Sequence, residues 1–375
     1  MNILIAVSNM TYANGGVNTH VIDLCNGLIK NDINVILVTN KNKCDFNNQI
    51  EQMNLSSNFK FYSVDMDGIQ KNPGKLLKVT KKFSRIVKNE RIDIIHTHSQ
   101  MLCIVGQLIK IVYKIPYIWT NHIDEMASPK FFKIIMSFFR FPIISVSSDL
   151  KNMLVDSFNV SKDKISVVPN GIDLGNFKSI TNVEKENIIK KYNCSDKYVV
   201  GILARLTYGK GHMYLLEAVN KIQSKHKIGD IKVIIAGKDY GNGYLDELMA
   251  YAKENNINLE YVGYQNPRYF FSICDISILP SIYEGFGLTV LESLAMGCPV
   301  IRSDTPGWTD TKDISFVFKK RNINQLANYL YYAYSNRDEM TEKGMSGKKV
   351  VFDKYSIESQ INNTISVYNK IMGRI

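Results

Sequence analysis

The segment Ser281-Ile282-Tyr283-Glu284-Gly285-Phe286-Gly287-Leu288-Thr289-Val290-Leu291-Glu292 opens and closes a short glycine-bearing stretch with carboxylates. A strand ending at Pro280 puts Glu284 in a turn, and Gly285 and Gly287 let a ligand come close to the backbone. The amides of Phe286 to Thr289 then form an anion-receptive helix N-terminus. Glu292 lies about one turn into that helix, on the face of Leu288. One carboxylate can accept from the hydroxyls of a sugar and the other from a ribose, with phosphates between them. Both acids could instead merely favour the helix dipole. An acid set in a glycine-rich turn, with Pro299 closing the helix, makes that reading the poorer one.

Two further loops carry chemistry of the same kind. Arg205-Leu206-Thr207-Tyr208-Gly209-Lys210-Gly211 follows an apolar strand and precedes a helix. It brings a guanidinium and an ammonium to one strand end, which suits a diphosphate; a solvated basic loop is the alternative. Gly15-Gly16-Val17 follows the first strand, with a helix expected from about Thr19. Free amides there suit a phosphate, although a plain turn explains the pair nearly as well. The spacing is not GxGxxG, so no dinucleotide fingerprint is supported.

Other residues invite chemistry and carry less of it. His96 and His98 alternate on a strand and so share a face. No third ligand is near them in sequence, so a contact with an acceptor is favoured over a metal pair. Asp65-Met66-Asp67 has the DxD form of a metal–nucleotide signature but stands far from the other motifs, and reads as a solvated loop. The six cysteines lack CxxC or metal spacing and several sit in apolar runs, as free thiols of a reducing compartment do.

These loops need a scaffold that ends strands at one edge. Short apolar runs alternate with amphipathic helical patterns along the whole chain, which signals parallel sheets covered on both faces. Strands are expected at Asn2–Val7, Asn34–Thr39, Lys60–Val64, Ile92–His98, Tyr117–Thr120, Ile143–Val146 and Ile165–Val168, then at Tyr198–Leu203, Lys232–Ala236, Leu259–Val262, Ile276–Leu279 and Val300–Ser303. The 375 residues suit two domains. The polar passage from Pro169 to about Asn193 separates residues 1–175 from 176–355, and a last helix, 356–375, is free to pack on either. Ligands of open α/β sheets bind at the carboxyl ends of strands, where the motifs lie, so two such domains are expected to face each other across a cleft.

Composition narrows the class. Hydrophobic residues at 45% and charged residues at 22% are ordinary globular values. The net charge is +11, and residues 1–180 carry the larger excess, 21 Lys+Arg against 14 Asp+Glu. Such a balance suits an anionic partner or simple solubility. No nucleic-acid motif is recognisable, so nucleic acid is not expected. The N-terminus reads as a strand and not as a signal peptide, and no run reaches the roughly 18 apolar residues of a membrane span. Pro129–Phe141, PKFFKIIMSFFRF, and the basic helical stretch 71–91 suggest either contact with an anionic membrane surface or an aromatic helix packed inside the domain beside a solvated basic face.

The Glu284–Glu292 segment, the Arg205…Lys210-Gly211 loop, Pro169-Asn170-Gly171-Ile172-Asp173 and Gly15-Gly16 together resemble glycosyltransferase family 4, in the family's order and over essentially the whole chain. The resemblance implies an α/β GT-B fold of two doubly wound Rossmann-like domains, the first for acceptor and the second for donor. It implies retaining transfer of a hexose or N-acetylhexosamine from a UDP-sugar, favoured over a GDP-sugar, to a glycan or lipid-linked acceptor of cell-envelope synthesis. Arg205 and Lys210 would bind the diphosphate; Glu284, with the amides of Phe286, Gly287, Leu288 and Thr289, would hold the sugar; Glu292 would hold the ribose, and Gly263 would lie beside the base. Gly16 would approach the phosphate or acceptor, Gly15 and His98 the acceptor, and His122 the reacting sugar. No metal or cofactor is expected, the nucleotide-sugar being a substrate. The expected location is cytoplasmic, on the inner face of the membrane. Two other readings stand beside this one: a GT-B-like sugar-nucleotide 2-epimerase, and a non-enzymatic two-lobed binding protein.

Overall fold

The computed structural model describes residues 1–10, 15–41, 44, 47–69, 72–122 and 141–374. Most of the phenylalanine-rich stretch Pro129–Phe141, read from the sequence as a membrane-contacting segment, lies outside these residues. The chain divides into two compact units, Met1–Asn170 with Ile357–Ile375, and Gly171–Ser356.

The first unit runs β1 (Asn2–Val7), α1 (Gly15–Lys30), β2 (Asn34–Asn40), α2 (Asn47–Met53), β3 (Phe59–Val64), α3 (Pro73–Asn89), β4 (Ile94–Thr97), α4 (Leu102–Tyr113), β5 (Tyr117–Asn121), β6 (Ile143–Ser145), α5 (Ser148–Phe158) and β7 (Ile165–Val167). Its seven strands are parallel, in the order β3-β2-β1-β4-β5-β6-β7. The continuous apolar run of β1 follows from burial on both faces. Leu4 and Ala6 join a core with Phe83, Ile109 and Tyr117, while Ile3, Ile5 and Val7 join another with Leu24 and Leu28. Local signals set the helix starts. Asn72 Oδ1 accepts from Lys75 N at 3.1 Å ahead of Pro73 in α3, and Ser147 caps α5 in the same way.

The second unit runs α6 (Asn182–Lys191), β8 (Tyr198–Leu203), α7 (His212–His226), β9 (Ile231–Ala236), α8 (Tyr244–Glu254), β10 (Asn258–Tyr261), α9 (Pro267–Phe271), β11 (Ile276–Leu279), α10 (Leu288–Ala295), β12 (Val300–Ser303), α11 (Trp308–Thr311), β13 (Phe316–Phe318), α12 (Ile323–Ser335) and α13 (Arg337–Lys354). Six parallel strands are ordered β10-β9-β8-β11-β12-β13. Both sheets reverse their strand order once, between β1 and β4 and between β8 and β11. That is the Rossmann-like arrangement, and the reversal leaves a crevice at the carboxyl ends of the two strands.

Several elements escape the apolar periodicity, among them the short helices α2, α9 and α11. The polar passage before β8 contains α6, which buries none of its residues and is started by a Thr181–Glu184 capping box. α13 turns Met340, Gly344, Gly347 and Val351 inward. Two of those inward positions are glycines, so the stripe does not read as apolar. A Cβ on Gly344 would sit 2.0 Å from the Gly297 carbonyl, and this close approach explains a residue that otherwise disfavours helix. β13 is three residues long and too short to announce itself.

The last helix, α14 (Ile357–Ile371), belongs to the first unit and packs on α1. Its inward residues are Gln360, Ile361, Thr364 and Tyr368, and Ile361 lies where a side chain on Gly27 would otherwise stand. Ile361→Ala should therefore destabilise the first unit by about 2–5 kcal/mol. Denaturant unfolding followed by hydrogen exchange checks this: protection should fall in β1 and α1 and stay unchanged in β8 and β9.

Candidate active site

In the second unit the chain leaves β8 into the Arg205–Gly211 loop and leaves β11 into the Ser281–Gly287 loop. Both loops therefore rim the crevice at the strand-order reversal. They are stitched together: Ile282 N donates to the Gly209 carbonyl at 2.8 Å. Gly211, at φ +74°, sits so close to the other loop that a Cβ would lie 2.1 Å from the Pro280 carbonyl. The Lys210 ammonium donates to Glu284 Oε1 at 2.5 Å, and the Ser281 hydroxyl donates to the same oxygen at 2.7 Å. Both charged side chains are largely shielded, at 19% and 12% exposure. Burial works to raise the Glu284 pKa, but it is outweighed by the Lys210 charge, the two hydrogen bonds and the Arg302 guanidinium. The carboxyl is held below its usual value. Sequence spacing assigns Lys210 and Glu284 to different parts of a ligand; the structure shows them holding each other.

Gly287, at φ +88°, turns the chain into α10, so the amides at Leu288 and Thr289 open a helix N-terminus beside the pair. Phe286 is buried, with its ring 5.9 Å from that of Tyr355, so its part at the crevice is through the backbone. Glu292, in the second turn of α10, and Arg205, at the head of its loop, are both half-buried. Gly263 follows β10 at φ +70°, and its carbonyl accepts from Gly237 N at 2.9 Å. Arg302 belongs to none of the sequence motifs. It lies fully buried on β12 and donates to the Phe286 carbonyl at 3.1 Å. Its position at the end of an apolar strand gives no local sign of that reach.

The first unit gathers four histidines. His98 and His122 follow β4 and β5 directly, and His98 Nδ1 meets His122 Nε2 at 2.9 Å. His20 comes from α1, with its ring centroid 4.6 Å from that of His122 and 5.3 Å from that of His98. Its Nδ1 meets Asn170 Oδ1 at 3.0 Å and Gln360 Nε2 at 3.3 Å. His96, its ring 4.2 Å from that of His98, is closed off by the Tyr368 hydroxyl and the Thr120 hydroxyl, each at 2.6 Å. His98 Nε2 is buried and has no hydrogen-bond partner among the described residues. Burial is the main force on all four and lowers each pKa, to about 4 for His20 and about 3 for His96, and well down for His98 and His122. The cluster is therefore neutral at pH 7 and can donate or accept hydrogen bonds without carrying charge.

His20, His98 and His122 supply the third ring absent from the His96–His98 neighbourhood in sequence, with one nitrogen each inside 4.8 Å. One nitrogen of His98 and one of His122 are engaged with each other, and His20 Nδ1 with Asn170. As found, the set is a hydrogen-bonded cluster. The expected glycine loop needs correction: Gly15 and Gly16 form the first turn of α1, which begins four residues before Thr19. First-turn amides have no acceptor within the helix, so glycines there do not delay it. Asp65 and Asp67 are occupied locally, Asp65 by Lys75 and Asp67 by Asn40 Nδ2 at 2.9 Å. All six cysteines are free, and four of them are buried.

A pH dependence follows from the histidines. Each has a folded pKa below 6.5, so its stabilising effect is complete above that value. It is lost as pH falls, because the unfolded chain takes up protons the folded one refuses. For His20 and His96 the loss runs from about 6.5 down to about 4 and about 3. The unfolding midpoint of the first unit should drop between pH 7 and pH 5, and His20→Gln should flatten that slope. An unchanged slope would contradict a buried neutral His20.

A family model described as Glycosyltransferase Family 4 matches residues 14–176, and one described as Glycosyl transferases group 1 matches residues 184–350. An uncharacterized glycosyltransferase of Methanocaldococcus jannaschii is 26% identical over 306 residues, 76% of this chain and 78% of the relative. The UDP-Gal:alpha-D-GlcNAc-diphosphoundecaprenol alpha-1,3-galactosyltransferase of Escherichia coli is 28% identical over 241 residues, 60% of each chain. Among solved structures, a glycosyltransferase from Rickettsia africae superposes with a TM-score of 0.87 at 20% identity, covering 100% of this chain and 99% of that one. HepE of Anabaena, in complex with UDP and glucose, gives 0.81 at 15% identity, covering 99% and 100%. Two family models that meet near the boundary of the two Rossmann-like units, with both crevices rimmed by the residues described, place the chain among the family 4 glycosyltransferases of GT-B type.

Proposed function

We propose that this glycosyltransferase moves a hexose or N-acetylhexosamine, with retention, from a UDP-sugar in preference to a GDP-sugar. The proposed acceptor is a glycan or lipid-linked sugar of cell-envelope polysaccharide or glycoconjugate synthesis. The observation that carries this reading is the Lys210–Glu284–Ser281 cluster at the β8/β11 crevice, beside the open N-terminus of α10. A diphosphate satisfies the Lys210 ammonium, the Arg205 guanidinium and the α10 amides. Glu284 is then released to accept from sugar hydroxyls, and Glu292 to accept from the ribose. UDP bound to the Anabaena protein and the UDP-galactose in the name of the Escherichia coli relative favour uridine. That relative's diphosphoundecaprenol acceptor favours a lipid-linked one for this chain.

In the proposed step the bond between the anomeric carbon and the diphosphate oxygen breaks, and the acceptor oxygen bonds to the same carbon on the same face. The acceptor proton passes to the departing diphosphate. Charge builds on that diphosphate, where fixed cations and amides lower the barrier. Neutral His98 and His122 serve the acceptor and the reacting sugar through hydrogen bonds, and no metal or cofactor is required.

Two measurements test this reading. In a thermal-shift screen of UDP, GDP and their sugars, a ligand at 100 times its Kd should stabilise by about 2.7 kcal/mol, with uridine compounds leading; no shift with any nucleotide would remove the donor site. Arg205→Ala and Lys210→Ala should each lower kcat by about 10²–10³, and full turnover in either would contradict its role at the diphosphate.

An anionic membrane surface is proposed as a second partner. α3 buries Val79, Phe83, Ile86 and Val87 and exposes Lys78, Lys81, Lys82, Arg85 and Lys88. Leu77 on α3, and Ile111 and Val112 on α4, are exposed apolar side chains. Among the described residues no helix is long and apolar enough to cross a membrane, so contact would be peripheral, and a cytoplasmic location on the inner face is proposed with it. Co-sedimentation with anionic liposomes at low salt should be lost on reversing the charges of Lys78, Lys81 and Lys82; no binding by the unaltered protein would end the idea.

A further inference from the structure

Arg302 is among the largest fully buried side chains of the described residues, with no exposure to solvent. A guanidinium has five N–H donors, and in this protein each has an acceptor. Nε donates to the Ser303 carbonyl at 3.3 Å. Nη1 donates to the Phe286 carbonyl at 3.1 Å and to Thr311 Oγ1 at 3.0 Å. Nη2 donates to the Thr305 and Pro306 carbonyls, each at 3.0 Å. These five acceptors are uncharged and come from the turn after β11, the last residue of β12 and the loop that follows it, and α11. A parallel stitch, Ser303 Oγ donating to the Ser281 carbonyl at 2.7 Å, joins the same two loops.

Burying a cation to pin loops is an expensive way to fill space. Taking a charge out of water costs several kcal/mol, and an apolar side chain of similar volume often serves stability as well or better. A feature retained for more than packing should act through its charge or its direction, and Arg302 has both. Because the peptide is planar and trans, a Phe286 carbonyl drawn onto Nη1 points the Gly287 N–H the opposite way, away from Arg302. Nη1 also stands 3.7 Å from where a Cβ on Gly287 would lie, so the positive charge sits directly beneath the turn into α10. Its field reaches Glu284, on which it acts in the same sense as Lys210.

We propose that Arg302 is a positioning residue for transfer: held beneath the Glu284–Gly287 turn by its five hydrogen bonds, it aims the Gly287–Thr289 amides at the donor and places a fixed positive charge under the departing diphosphate. The proposal rests on the donor-site reading above. It adds a role for a residue that touches no ligand and acts only through the turn.

The test compares Arg302→Met, Arg302→Lys and the unaltered protein in two independent assays. Hydrogen exchange, which needs no substrate, should show faster exchange in peptides spanning 281–292 for Arg302→Met, with peptides spanning β8 and β9 unchanged. In turnover with the nucleotide-sugar chosen by thermal shift, Arg302→Met should lose at least tenfold in kcat while UDP affinity changes less than threefold. Arg302→Lys keeps the charge but at most three donors, so it should fold more readily and recover part of kcat. The proposal is overturned if Arg302→Met turns over within threefold of the unaltered protein, or if both variants speed exchange throughout the second unit, as a purely structural residue would. Should the unaltered protein bind no nucleotide-sugar, the donor reading fails, while the local exchange result still decides whether Arg302 holds the turn.

Discussion

A shielded ion pair between two loops governs the second unit. Lys210 and Glu284 belong to loops that leave adjacent central strands, and each lies where the other can neutralise it. Losing one partner of such a pair costs about 3–5 kcal/mol, because the other is left as an uncompensated buried charge. The arrangement therefore persists only while something satisfies both groups. A diphosphate can replace the carboxylate at Lys210, and sugar hydroxyls can replace the ammonium at Glu284. On the proposed function, the pair is a placeholder whose two halves match the two halves of a nucleotide-sugar. Ser281, Gly211 and Arg302 make it rigid, through a hydroxyl on the same carboxylate oxygen, a backbone contact no side chain would allow, and a buried guanidinium under the turn.

The first unit solves a different problem with the opposite electrostatics. Four imidazoles are packed at the ends of β4 and β5 and against α1, and burial keeps them uncharged. A charged cluster there would repel itself and be lost to solvent; a neutral one can be chained by hydrogen bonds. His96 is fully used by Tyr368 and Thr120 and acts as a strut, whereas His98 retains a buried nitrogen with no partner among the described residues. α14 supplies Tyr368 and Gln360 to this network, so the last helix of the chain shapes the histidine cluster as well as the core.

What could be read in advance depended on whether a signal was local. β1 and β8 are largely apolar runs and β11 and β12 short apolar-led ones, and the limits of all four in the structure match those expected from the sequence. The Glu284–Glu292 and Arg205–Gly211 segments were legible because strand end, turn and helix start lie within a few residues. His20, Asn170, Gln360 and Tyr368 were not, because nothing near them in sequence reports a meeting with His96, His98 or His122. α13 was hidden because its inward stripe uses glycines, and α6 because it has no inward stripe at all. The sequence puts the start of α1 too late because glycine reads as a breaker, although in a first turn it breaks nothing.

The central claim is that the Lys210–Glu284 pair occupies a nucleotide-sugar site and opens when the donor binds. Titration calorimetry of UDP into the unaltered protein and into Glu284→Gln tests it most directly. If Glu284 only holds Lys210 until a diphosphate arrives, Glu284→Gln should bind UDP at least as tightly as the unaltered protein while losing the added affinity of the intact UDP-sugar. A tenfold or greater loss of UDP affinity in Glu284→Gln would contradict the claim and make the pair a structural tie.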